Sequence, residues 1–591
     1  MTVSDQLPRR RFRLLRWSLF GLALVGLGFL LQEWLSPWPR CTIPFKSSIS
    51  FGGMSADGHY LVTGNTPASF NAFLGGGLNN LGGIGQGGPG MPRPMVQGGL
   101  DNPIQVWDTR SGKLEGTYLK DSRAWMHEIT SSFRYMAACD DQPDAGPFDN
   151  DFHLVDLQAK NEVRLPLKGN PNYRFSPQET FVLVSEGTEK GNKIFHLMKT
   201  ATGKVAKTFQ GSVFHTFVPD ESLILHEAQN GDERDLCIWS TRLQKVVHTL
   251  PKVSGGVTLS PDGRTVAAIM ADALIFLDLR TFETRRFRPR TGMGLESTMI
   301  FSPDGGTLAL FLEKWAFVLQ KQGIEFWDVA SGKQRHGDFD SLKNWGWDSG
   351  NFNDWGSQFC FVAFSPDSTF FALAAQTPDG PRLGVWDVSS ATLLWVEEPI
   401  DAYLGLAFTA DSRFLIADPE RNAAEIRYAR TGERHRRFEA GYSPHRHLGT
   451  PRCEFTKDLH FITIRSEITR QPHILEKLLG DWWPKGKANL QHVQVAETTT
   501  GRELARLASD TLEEALLSEN GQTLVTKHQV NGKYLVRVWD LPLRPPLLLV
   551  IGIPLGLGLM VLLFSRWRAR RRRRGEVARL APVAIKPEQV Q

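Results

Sequence analysis

The chain has 591 residues, 41% of them hydrophobic, with 55 Gly, 34 Pro and a formal net charge of +5. So many Gly and Pro among apolar residues exclude a long-helix protein and point to short strands joined by tight turns. Residues 1–16 carry +4 and residues 566–591 carry +7, so the body between them carries −6, which excludes a basic, nucleic-acid-binding body.

Five cysteines (Cys41, Cys139, Cys237, Cys360, Cys453) are scattered singly, with no C-x-x-C pair. They give neither a disulfide framework nor a zinc site.

Residues 1–16 form a polar tail with Arg9, Arg10, Arg11, Arg13 and Arg16. Residues 17–35 follow as an apolar run, WSLFGLALVGLGFLLQEWL. About 20 mostly apolar residues cross the hydrocarbon layer, so this run is read as a transmembrane helix. A cleaved signal peptide shares these features, but Leu35 to Cys41 offers no small-x-small cleavage site and Arg40 spoils a lipobox. The expectation is an uncleaved anchor.

Residues 41–46 form a lone strand ahead of a repeated phrase, clearest over residues 298–333. There an apolar strand ends at Phe301, a Ser302-Pro303-Asp304-Gly305 turn follows, and two more strands lead to Trp327 and a Ser331-Gly332-Lys333 turn. Pro presets φ, Asp bonds back to the backbone and Gly takes the positive φ that other residues resist. Residues aligned with Ser302 are Ser55, Ser131, Ser176, Val218, Ser260, Ser365, Thr409, Thr456 and Ser518. From Ser176 to Ser302 they are spaced by 42 residues. A period of about 40–45 residues is that of four-stranded propeller blades. The last unit, ending at Trp539-Asp540, has no room for an outer strand before Pro545, so residues 41–46 are expected to complete it.

Trp107-Asp108, Trp327-Asp328, Trp386-Asp387 and Trp539-Asp540 stand where WD40 repeats place their Trp-Asp pair. With the Ser-Pro-Asp-Gly and Ser/Thr-Gly-Lys turns, residues 41–543 resemble bacterial WD40-like proteins. The resemblance implies an all-β WD40-like β-propeller of about ten units, as a single ring or two lobes. It does not extend to the family's Gly-His pair, and some units close with Val155-Asp156, Trp239-Ser240 or Leu277-Asp278. The Asp-His-Ser-Trp network of the strictest members is therefore not implied.

Three insertions interrupt the units. Residues 65–101 are rich in Gly, Asn and Pro, and their Gly83-x-Gly85-x-x-Gly88 is a chance match to the dinucleotide fingerprint, since no strand leads in and no helix out. Residues 338–357 hold Trp345, Trp347 and Trp355 among acids and amides, outside strand alternation, and are the candidate partner-binding residues. Residues 471–491 place Ile474, Leu475, Leu478 and Leu479 on one face of a short helix ahead of Trp482-Trp483. Single histidines such as His153, His196 and His215 read as structural, and no nucleophile, metal or phosphate motif emerges. No catalytic, cofactor or metal residue is assigned.

Residues 545–564 are twenty residues without a charge, followed by Arg566, Arg568 and Arg570 to Arg574. This reads as a second transmembrane helix with a basic tail at 565–591. Both basic tails are expected in the cytoplasm and the propeller outside it, on the periplasmic side of a bacterial membrane. The expected function is a membrane-anchored scaffold for a membrane or envelope protein, without nucleic acid or cofactor. The alternative is a propeller-fold hydrolase or lyase, with its site at the mouth of the central channel.

Overall fold

The structure is a computed structural model describing residues 20, 37–46, 49–64, 103–119, 124–141, 150–166, 172–187, 193–230, 233–270, 273–288, 298–312, 323–336, 361–377, 380–397, 403–419, 423–439, 453–469, 489–543 and 547–579. The chain divides into Cys41–Asp540 and a second unit of Met1–Arg40 with Leu541–Gln591.

The first unit is a ten-bladed β-propeller, each blade a four-stranded antiparallel sheet with strands a to d. The blades span residues 50–118, 124–166, 172–210, 212–250, 255–287, 298–335, 361–397, 403–439, 453–509 and 512–540. Strands a of successive blades approach one another and surround the axis. The outer strand of blade 10 is Cys41–Phe45, antiparallel to Lys533–Asp540, with Cys41 opposite Val538 and Phe45 opposite Tyr534. The first and last segments of the ring thus share one sheet, which leaves no gap between blade 10 and blade 1.

Strand periodicity makes the ring. Leu308 and Leu310 pack on blade 5, while their neighbours Ala309 and Phe311 pack on blade 7. Side chains alternate across a strand, so a sheet apolar on both faces must be covered on both. Buried clusters fill the junctions from blade 1 to blade 9 in succession, strands of blades 9 and 10 touch, and a further cluster with Ile43, Phe51, Leu61 and Val536 joins blade 10 to blade 1. Of the two expected arrangements, the single ring is the one formed. Between blades 6 and 7, Phe326 meets Phe371 edge to face at 4.9 Å. Truncating such a buried ring to Ala costs about 3–5 kcal/mol.

The a–b turns carry the repeat's signature. Ser260 Oγ donates to Asp262 Oδ1 at 2.6 Å and accepts from Thr265 N at 2.9 Å. In blade 2 the equivalent residue is Thr130 rather than Ser131, because Thr130 Oγ1 accepts from Tyr135 N at 3.1 Å. The turn's fourth residue has positive φ in every blade, whether Gly, as at Gly305 (70°), or not, as at Glu179 (60°) and Ser368 (62°). Where a side chain is present it can reach the preceding blade. Glu179 accepts from Ser132 N at 3.0 Å, Ser368 Oγ from Asp304 N at 3.0 Å, and Ser412 Oγ from Asp367 N at 3.1 Å.

The Asp that ends strand c caps the c–d turn. Asp278 Oδ1 accepts from Arg280 N at 2.7 Å and Thr281 N at 3.0 Å, and these amides hold its carboxyl below the usual range. Asp108, Asp156, Asp328 and Asp387 likewise accept from backbone amides of their own turns. In blade 10 a different chain forms: Trp539 Nε1 donates to Thr526 Oγ1 at 2.8 Å, and His528 bridges Thr526 (2.9 Å) and Thr511 (3.1 Å). Burial pushes the His528 imidazole down to about 4, so it is neutral in this chain at pH 7.

The c–d turns of blades 6, 7 and 8 also rest on the outer strand of the blade before them. Arg285 donates to Val329 O (2.8 Å) and Ala330 O (2.6 Å), Arg335 to Val388 O (3.1 Å), and Trp395 Nε1 to Ala429 O (2.8 Å). At the closure Cys41 Sγ reaches Thr109 O at 3.2 Å.

In the second unit a helix, α1, runs from Leu547 to Arg579. It was expected to end at residue 564, but it continues through Ser565–Arg579, whose Ala and Arg residues favour helix. Leu555, Leu559, Met560 and Phe564 are exposed on it. Among the described residues no helix is long and apolar enough to cross a membrane. The described side chains of this apolar run begin at Gly552, and residues 17–19 and 21–35 lie outside the described residues.

Two turn glycines, Gly332 between strands c and d of blade 6 and Gly532 between strands b and c of blade 10, separate strain from contact. A Cβ on Gly332 (φ 65°) would lie 2.0 Å from Phe287 of blade 5, whereas one on Gly532 (φ 73°) meets nothing within 4 Å. Gly532→Ala is expected to cost about 1 kcal/mol of backbone strain. Gly332→Ala adds overpacking of about 1–3 kcal/mol. Urea midpoints of the full-length protein in detergent check this; equal shifts would refute the blade-to-blade contact.

Candidate functional site

Strands a and c run in one direction and b and d in the other, so the a–b and c–d turns share one face of the ring and the b–c and d–a connections share the opposite one. The tight-turn face is where the chain enters at Cys41 and leaves after Asp540. The three insertions attach on the other face. Residues 65–101 join strands b and c of blade 1, residues 338–357 join blade 6 to blade 7, and residues 471–491 join strands b and c of blade 9. Asn489, Leu490 and Gln491, expected inside the third insertion, instead begin strand c by pairing with Thr469, Ile468 and Glu467. Trp345, Trp347 and Trp355 lie outside the described residues.

The repeat alignment isolates a second location. Two residues before the turn Ser or Thr, the innermost strands carry Gly53, Glu128, Arg174, Thr216, Thr258, Ile300, Ala363, Ala407, Glu454 and Leu516. Charge therefore collects on blades 2, 3 and 9, while blades 4 to 8 present small or neutral side chains. All of these lie near the tight-turn end of the central opening.

Glu128 is half-buried, and burial raises its carboxyl to about 6, opposed by the charges of Arg174 and Lys457. Lys457 lies in the a–b turn of blade 9, with blades 10 and 1 between it and blade 2. A β-bulge at His127 shifts the register just before Glu128.

A second group sits at the ring's seam. Glu454 pairs with Arg465, and Lys527 Nζ lies 3.3 Å from Glu513 and 3.4 Å from Glu514 while donating to Ile49 O at 2.9 Å. Burial raises the Glu454 and Glu514 carboxyls, and their cationic partners pull them back. The Lys527 contacts belong to closure, since they tie blade 10 to the segment leading into blade 1, whereas Glu454–Arg465 lies within blade 9. Removing one partner of such a buried pair typically costs about 3–5 kcal/mol.

Of the histidines read as structural, His153 and His196 have partners, and the His215 side chain lies outside the described ones. His153 Nδ1 is 2.9 Å from Glu162, and His196 is 3.1 Å from Thr208 and 3.3 Å from Glu186. Among the described residues no group of three His, Cys, Asp or Glu side chains could hold a metal ion. Sequence motifs do not register Glu128, Arg174 and Lys457, because they come from three blades. The available signal was the charge of Glu128 and Arg174 at a position where most other blades place Gly, Thr, Ile, Ala or Leu.

No protein-family model matches the chain, and no curated protein matches it. Among solved structures, a eukaryotic initiation factor is 13% identical, with a TM-score of 0.45 over 68% of this chain and 93% of the other. Dihydro-heme d1 dehydrogenase NirN, in complex with DHE, is 15% identical, with a TM-score of 0.35 over 61% and 71%. Hydrazine synthase of Kuenenia stuttgartiensis is 15% identical, with a TM-score of 0.29 over 49% and 91%. None of these likenesses bears on chemistry.

A carboxyl held at about 6 when folded, against an ordinary 4.5, binds its proton more tightly in the folded state. Its contribution to stability is present below pH 4.5 and is lost as pH rises through 6. Glu128→Gln is therefore expected to match wild type near pH 4 and to exceed it at pH 8 by up to about 2 kcal/mol. Urea midpoints of both proteins across that range test the assignment; a pH-independent difference would refute it.

Proposed function

We propose that this protein is a membrane-anchored, WD40-like propeller that serves as a scaffold for another membrane or envelope protein. The observation that carries the reading is the division of the ring into two faces. Both chain ends leave beside each other on the tight-turn face, and all three long insertions attach on the opposite one. In sequence only residues 36–40 and 541–544 separate the ring from the two apolar runs. Trp-Asp pairs end strand c in blades 1, 6, 7 and 10, which supports the WD40-like assignment.

The anchors are the apolar runs at 17–35 and 545–564, with basic tails on the cytoplasmic side and the propeller on the periplasmic side. The helical state of Leu547–Arg579 and the exposure of its leucines support the second anchor. The partner contact is assigned to Trp345, Trp347 and Trp355, because truncating an aromatic anchor typically costs about 2 kcal/mol or more.

One observation favours a second reading, a channel-mouth enzyme of hydrolase or lyase type. Glu128, whose raised carboxyl is opposed by the charges of Arg174 and Lys457, has the protonation a general acid near neutral pH needs. The two readings use opposite faces of the ring, which makes them separable.

A photo-crosslinker at position 347 and another at position 411, in the a–b turn of blade 8, compare the faces in intact membranes. A protein adduct from 347, lost when Trp345 and Trp355 become Ala, is expected. Adducts from 411 alone would discard the insertion face, and turnover abolished by Glu128→Gln would establish the enzyme instead. Protease added to spheroplasts should digest the propeller; cleavage of the tails alone would reverse the orientation.

A further inference from the structure

We propose that the segment of α1 just beyond its apolar run is a binding site for the phosphate groups of anionic phospholipids; this rests on the anchored reading above. The helix passes without a break from Phe564 into Ser565–Arg579. Ser565 adds no charge or free hydroxyl at the boundary, since its Oγ donates to Leu562 O at 2.8 Å.

Depth is set by helical rise. At about 1.5 Å per residue, the stretch from Leu547 to Phe564 covers about 27 Å, close to the hydrocarbon thickness of about 30 Å. Trp567, Arg568 and Arg571 then lie about 5–11 Å further along, at the depth of the polar headgroups. A soluble polyanion would meet the later arginines first, whereas Trp567 sits beside the apolar boundary.

Geometry supplies the site. Phe564, Trp567, Arg568 and Arg571 are spaced by three and four residues and share one helical face. The Phe564 and Trp567 rings are 5.6 Å apart, and the Arg571 guanidinium lies 5.1 Å from the indole centroid. Trp567 is 51% exposed, and Arg566, Arg568, Arg570 and Arg571 are exposed as well. A guanidinium stacked on an indole keeps its N–H edge free for a phosphate, where it can bond in bidentate fashion. The aromatic pair holds that edge at headgroup depth, as interfacial Trp residues do.

The test uses the full-length protein in nanodiscs of phosphatidylcholine with a minor fraction of phosphatidylglycerol, reading retained lipids by native mass spectrometry. Phosphatidylglycerol should be enriched over the bulk, and the preference should fall about fivefold for each guanidinium lost in Arg568→Gln and Arg571→Gln. Trp567→Leu, which keeps an apolar side chain, should also weaken it, and the paired Arg→Lys variant should retain part. Unchanged enrichment in the Gln and Leu variants overturns the proposal. So does equal displacement by millimolar inorganic phosphate, which would mark a free-phosphate site, or selective retention of an RNA oligomer by the same residues. Carbonate extraction separates the underlying reading: release of the wild type overturns both, whereas retention without phosphatidylglycerol enrichment overturns this inference alone.

Discussion

Everything in the ring depends on the pairing of Cys41–Phe45 with Lys533–Asp540. Each blade is apolar on both faces and is stable only between two neighbours, so an open arc would expose one face at each end. The N-terminal strand removes that exposure by making blade 10 a joint product of both ends of the sequence. Around it the closure is reinforced by apolar packing of Ile43 and Phe51, by the Cys41 to Thr109 contact and by the buried Lys527 reaching Ile49 O. The seam is thus held by the same kinds of contact as the other junctions, together with a buried ion-pair group.

The other junctions obey a regular rule. In the a–b turns the fourth residue adopts positive φ and is Gly, or Glu or Ser capping an amide of the preceding blade, or an apolar residue packed on it, as Phe133 on Tyr60 and Leu459 in the blade 8–9 cluster. In the c–d turns the matching residue leans on the preceding outer strand: Phe282 stacks on His248 at 5.0 Å, and Lys160 donates to Glu115 O at 2.9 Å. One backbone geometry therefore accepts Gly or a bulky side chain, according to what the neighbouring blade offers. This is why the repeat looks degraded in sequence while remaining regular in space.

Charge is distributed with equal economy. The Asp residues of the turns accept hydrogen bonds from nearby backbone amides, so they act on local conformation. Glu454 and Glu514 are absorbed in ion pairs near the seam. Glu128 differs, because its cationic neighbours influence it from other blades, and it sits where the innermost strand meets the opening. The tight-turn face thus combines the chain's two exits with the ring's charged mouth, while the opposite face carries the long connections.

The sequence by itself determined the repeat, the turn chemistry, the strand that closes the ring and the apolar run that becomes helical. These are local properties, because alternation, Pro-Asp-Gly turns and uninterrupted hydrophobicity act over a few residues. Tertiary structure decided that ten units form one ring, that Thr130 and not Ser131 anchors its turn, and that the Asp of Trp-Asp caps a turn. It also brought the charges of Arg174 and Lys457 to bear on Glu128, and joined Lys527 to Ile49 across 478 residues of chain. No local pattern encodes such meetings: blade-to-blade packing and ring closure create them, and both depend on every intervening blade being in place.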